Sequence, residues 1–236
     1  MRRSESGSLT AEAHSRIRGE ILACRFAPGQ KLVIADLCAK FGFSLGAVRE
    51  ALSALATEGL VETQPRKGFR VAPITEAELQ DITRVRVVIE SLCLENAIRK
   101  GDLKWETNIV STEFELSKLP LRDAADPERV SEAWAQVHKR FHEMLVAACD
   151  SPWLLRLREI LYVQSERYRR FSVPLERTRR DLVKEHKEIA TAVIARDTPR
   201  ALELLREHLE CTTRILIESD VIKDHEAGDA VASVAG

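Results

Sequence analysis

Residues 44–71 read SLGAVREALSALATEGLVETQPRKGFRV, and the period of their apolar residues changes part-way along. Val48, Leu52 and Leu55 recur at helical spacing, whereas LVETQ (60–64) and FRVAP (69–73) are short β-prone runs parted by the turn residues PRKG. Ser44 stands where its oxygen can cap the first orphan N–H groups of the helix. Gly59 stands where a left-handed residue ends one. The stretch therefore predicts a helix followed at once by a small hairpin.

Upstream, LTAEAHSRIRGEILAC (9–24) puts Ala13, Ile17, Ile21 and Leu22 on one stripe, predicting a first helix. Pro28-Gly29 makes a turn, VIADLCAK (33–40) a short second helix, and FGFS (41–44) a break before the third. That order is a winged helix-turn-helix with a β-hairpin wing. The second helix of the pair can enter the major groove of double-stranded DNA while its partner crosses the backbone. Ser44 at the helix start and Arg49 within it are candidate DNA contacts, as are Arg66 and Lys67 on the wing and Arg70 behind them. Basic residues outnumber acidic ones before residue 73 and fall short of them afterwards, as phosphate binding at one end would have it.

From Thr75 the helical period returns and no strand is predicted. Helices are expected near 75–100, 105–118, 126–149, 151–170, 174–196 and 198–222, broken at Gly101, Pro120, Pro152, Pro174 and Pro199. The chain is thus mainly α, with a reading domain over 9–73, an all-helical bundle over 75–222 and a disordered tail over 226–236. No apolar run approaches the ~20 residues that span a bilayer, so no membrane is expected. The five cysteines are scattered and never spaced CxxC, which points to reduced thiols in the cytoplasm and away from a cysteine-held zinc.

Within AWAQVHKRFHEML (133–145), His138 and His142 share a face with Trp134, Phe141 and Leu145. His186 and His208 lie on the apolar stripes of two later helices. A buried neutral imidazole with one hydrogen bond is the ordinary explanation of each. Four inward-facing rings in one bundle can also converge on a metal, and imidazole nitrogens suit zinc, nickel, copper or iron better than magnesium or calcium.

FAPGQKL, ADLCAKFGFS, AVREALSALATEGLV and RKGFRVAP, spanning 11–73, resemble the N-terminal domain of the GntR family of bacterial transcription regulators. The family commonly has S-R-T-P-V-R-E-A-L where this chain has Ser44-Leu45-Gly46-Ala47-Val48-Arg49-Glu50-Ala51-Leu52, so the docking mode carries over but the operator sequence does not. Residues 75–222 resemble the FCD effector domain of the family's FadR branch, many of whose members hold a metal by an Asp and a His one turn apart and two later His. His142, His186 and His208 match those histidines, and His138 stands at the Asp position. The resemblance implies a divalent transition metal, zinc or nickel first, in a site more positive than usual.

CDSPWLLRL and QSERYRR look most like the carbon-starvation-induced regulators of that branch, implying a small organic acid, a dicarboxylate such as glutarate. Arg86, Gln164 and Arg167 are the effector candidates, whereas Arg169-Arg170 reads as a solvated basic face. A homodimer and a repressor released by ligand are expected. Two other readings stay open: the ion itself as effector, or a metal-dependent hydrolase. The second lacks HExxH, a phosphate loop and a base clearly facing the histidines.

Overall fold

The computed structural model describes residues 2–173 and 180–218. They form two compact units, one reaching to Glu76 and one beginning at Ala77.

In the first unit, α1 (Arg2–Leu22) starts seven residues before the expected helix. It is followed by β1 (Lys31–Leu32), α2 (Ile34–Phe41), α3 (Leu45–Thr57), β2 (Val61–Gln64) and β3 (Gly68–Val71). The sheet is antiparallel, in the order β1-β3-β2. β1 was not expected; its two residues pair with Arg70 and Phe69 and make the hairpin a three-stranded wing. The Ser44 oxygen accepts from the Ala47 N–H at 3.3 Å, fixing where α3 begins. Gly59 ends it at φ 73°, with Leu60 N–H bonding back to the Leu55 carbonyl at 3.0 Å, a Schellman closure. Ala13, Ile17 and Ile21 of α1 pack with Val48, Leu52 and Leu55 of α3, all buried. Each large aliphatic side chain so buried stabilises the unit by about 1.5–3 kcal/mol. This core holds α3 in place and leaves its other face to solvent.

The second unit is helical: α4 (Glu76–Lys100), α5 (Leu103–Lys118), α6 (Glu132–Val146), α7 (Pro152–Ser172), α8 (Leu182–Ile194) and α9 (Thr198–Glu218). Asp102, Ser131, Ser151 and Asp181 cap four of them through their side chains. Two helix starts in this unit differ most from expectation. α6 begins at 132 rather than 126, because Asp123 Oδ1 accepts from Ala125 N–H and Asp126 N–H and Arg122 bridges to Val130. Such local side-chain bonds offer the backbone an alternative to a helical ladder. α8 begins at Leu182, where Asp181 caps Lys184 N–H at 2.9 Å; residues 174–179 of the expected helix lie outside the described residues. So do 219–222, His225 and the 226–236 tail. Among the described residues no helix is long and apolar enough to cross a membrane.

Candidate functional site

Ser131 fixes the start of α6, and from there the 3.6-residue period carries His138 and His142 to one buried face. α8 brings His186 and α9 brings His208 against them, all four rings being buried. One ligand nitrogen from each ring lies within 4.8 Å of the other three. His138 Nε2 and His142 Nε2 are 3.2 Å apart. Two nitrogens ~2.0–2.1 Å from a shared zinc stand about 3.0–3.4 Å apart when they are neighbours in its coordination sphere. The 3.2 Å pair therefore has the separation of two ligands to one ion.

The hydrogen bonding of the cluster is sparse: His138 Nε2 and His142 Nε2 meet each other, and three other ring nitrogens have no partner among the described residues. His138 Nδ1, His142 Nδ1 and His186 Nε2 are buried with no partner among the described residues. Each such orphan costs about 1–3 kcal/mol in a close-packed interior. Burial pushes all four imidazoles below their ordinary pKa, and for His138, His142 and His186 well below it. Neutral rings are the form that ligates metal. The donor set thus fits a borderline transition metal.

His208 differs from the other three. Its Nδ1 lies 2.8 Å from Glu185 Oε2, and Arg180 clamps both oxygens of that carboxylate at 2.7 Å. Burial pushes the Glu185 carboxyl up, but the hydrogen bonds from His208 and Arg180 prevail and hold it at about 2. Glu143 pairs with Lys139 at 3.4 Å. Both carboxylates adjacent in sequence to the histidines are thus engaged by cations.

A cavity of about 30 Å³ adjoins the cluster, lined by His138, His142 and His208 with Arg86, Tyr162 and Arg169. Arg86 is where the effector reading puts it, tied to buried Glu90 at 3.2 Å and stacked over the Tyr162 ring. Gln164 and Arg167 are not in the cavity lining. They fall on other faces of α7, and Arg167 is buried over Tyr168. Arg169 corrects the sequence reading: it is no solvated residue but lies 5.0 Å over Trp134, which stacks on His138 at 4.5 Å. Its Nε and Nη2 donate to Glu166, and its Nη1 is buried without a hydrogen-bond partner among the described residues. The missed signal is the spacing Trp134–His138, one helical turn, which provides the platform a cation can cover.

In the first unit, Arg49 is exposed on α3 beside exposed Leu45 and Ser53, and Arg66 and Lys67 are exposed at the tip of the wing. Arg70 departs from the expected role: it is half-buried, and its Nε donates to Glu62 across the strand pair at 2.8 Å. Its charge is already balanced within the wing.

Residues 9–71 match the profile of the bacterial regulatory proteins, gntR family, and residues 81–210 match the FCD domain. The chain belongs to the GntR family. It is a DNA-binding transcription regulator with an FCD effector-binding domain, and its relatives are regulators rather than enzymes. Among relatives of this GntR protein, the uncharacterised HTH-type regulator BphR of Paraburkholderia xenovorans (strain LB400) is 37% identical over 92% of this chain and 88% of its own. The HTH-type transcriptional repressor GlaR of Escherichia coli (strain K12) is 37% identical over 82% and 89%. Solved structures share the fold: E. coli McbR/YncC at TM-score 0.70 and 19% identity, covering 89% of this chain and 97% of that one. A putative GntR regulator from Rhodococcus sp. RHA1 gives 0.69 and 23%, covering 89% and 98%.

Proposed function

We propose that this regulator is a homodimeric repressor in which residues 9–73 grip the operator and residues 75–222 bind a transition metal, zinc or nickel, and a small dicarboxylate. The observation that carries the reading is the convergence of four buried imidazoles, one ligand nitrogen of each within 4.8 Å of the other three, beside a cavity lined also by Arg86 and Arg169. A dication ringed by neutral histidines, with two guanidiniums beyond it, favours an anion of two separated carboxylates such as glutarate. Repression is supported by the name of the E. coli relative.

The cavity's volume bears on the switch. About 30 Å³ of cavity holds about two or three waters, less than a dicarboxylate of glutarate's size needs, so an organic acid enters only if Arg169 and its neighbours give way. An effector that fits one arrangement and not the other has the differential affinity that a population shift requires. The same small volume also favours a second reading, in which the ion alone is the effector.

Dimerisation is supported by exposed apolar residues on α7 (Trp153, Leu157, Ile160) and α4 (Val85, Val88, Leu92). They present on the order of 600 Å² per protomer, close to the ~800 Å² each partner contributes to a stable interface. The test is fluorescence anisotropy on DNA flanking the regulator's own gene, with chelated, zinc-loaded and zinc-plus-glutarate protein. Tight binding released by the dicarboxylate supports the repressor, release by zinc alone supports the ion sensor, and binding indifferent to both refutes the site's role.

A further inference from the structure

The hydrogens around His208 can be counted. Arg180 Nη2 carries two, and it lies 2.7 Å from Glu185 Oε2 and 2.8 Å from the His208 carbonyl oxygen. Both are thereby used. The same nitrogen stands 3.3 Å from His208 Nδ1 but has no hydrogen left to give it, and a guanidinium accepts none. Glu185 Oε2, at 2.8 Å, is an acceptor only. The arrangement closes in one way: Nδ1 bears the proton and donates it to Glu185. In a neutral ring the lone pair is then on Nε2.

We infer that Glu185, braced by Arg180, is a positioning residue that presets His208 as the tautomer whose Nε2 is free to ligate, before any ion arrives. The inference rests on the metal-site reading and adds to it a residue that touches no ion. The brace has a second effect. Arg180 occupies Glu185 Oε1 through Nε and Oε2 through Nη2, both at 2.7 Å, so the carboxylate is held back from the cluster and the ligand set stays all-imidazole. Arg180 also reaches Thr212 Oγ1 at 3.1 Å, anchoring the clamp to α9 one turn beyond His208. Carboxylates placed this way behind ligating histidines fix ring orientation and raise ligand basicity, and their loss weakens metal binding about 10- to 100-fold.

The experiment measures zinc affinity of the full chain by competition with a chromophoric chelator, alongside the visible spectrum of the cobalt form. Glu185→Ala is expected to bind zinc about 10- to 100-fold more weakly. Glu185→Gln, whose amide oxygen can still accept from Nδ1, recovers most of that loss, and Glu188→Ala on the exposed side of α8 matches wild type. Nitrogen NMR of the metal-free wild type reads the tautomer without any Glu185 variant. His208, assigned through His208→Gln, is expected to show a protonated Nδ1 and a bare Nε2. Zinc binding by Glu185→Ala within threefold of wild type, or the opposite tautomer, overturns this inference and leaves the metal site standing. Absence of zinc binding by wild type overturns both.

Discussion

Arg66→Gly should move stability and DNA binding in opposite directions. Arg66 follows Pro65 in the turn closed by Lys67 N–H to the Gln64 carbonyl at 3.1 Å, and its φ is 63°. That is the left-handed region, where a side chain is crowded and glycine is not. The strain there is about 1.5 kcal/mol, and the extra unfolded-state freedom of glycine returns about 0.5–1 kcal/mol of it. The variant should therefore be more stable by about 0.5–1 kcal/mol, raising the melting temperature of the reading domain by about 2–8 °C. If the guanidinium meets a phosphate, its loss removes one released counterion per protomer. The slope of log K against log salt then becomes shallower by about 0.9 per protomer, near 1.8 for a bound dimer. Anisotropy titrations across a salt series, with calorimetric melting of the same samples, read both effects. An unchanged salt slope with the expected gain in stability would refute the placement of Arg66 on the nucleic acid.

Arg169→Met should weaken dicarboxylate binding about 10- to 100-fold, the worth of a charge-assisted hydrogen bond of about 1.5–3 kcal/mol, and isothermal calorimetry with a series of dicarboxylates checks it. An unaltered affinity would remove Arg169 from the effector site. Glu20 is buried between Arg25 and Lys40 at 2.7 and 2.8 Å. Burial pushes its carboxyl up, but Lys40 and Arg25 outweigh burial and hold it below the ordinary range. A lowered carboxylate stabilises the fold above the unfolded value of about 4.3 and loses that contribution as pH falls. Glu20→Gln should accordingly flatten the acid side of the melting-temperature profile, and curves that stay parallel from pH 6 to 3 would contradict the pairing. Ile160→Glu, placing a charge in the exposed α7 stripe, should shift micromolar protein to monomer in sedimentation; a persisting dimer would put the interface elsewhere.

The elements legible in the sequence were those with several apolar turns or a strong stop signal. α3 is bounded by a capping serine and a left-handed glycine, and α6 carries two histidines at the spacing that makes them neighbours. What was not legible depends on partners distant in the chain. β1 is two residues long, too short for any period, and exists because β3 runs beside it. Residues 126–131, read as the first turn and a half of a helix, are instead drawn into a local turn network around Asp123. Arg70 and Arg169 look alike in sequence, as exposed basic residues. One is neutralised by a cross-strand glutamate that only the register reveals. The other is drawn over Trp134 on α6, 35 residues upstream, and its neighbour Arg170 pairs with Glu132 on the same helix.

The central claim is that four imidazoles share one ion, and its most direct test is elemental analysis of protein purified without chelator. About one transition-metal ion per chain in wild type, lost on replacing His142 and His186 with alanine, is the predicted result. Wild-type protein that holds no such metal after equilibration with zinc and nickel, or a double variant that holds as much, would contradict it.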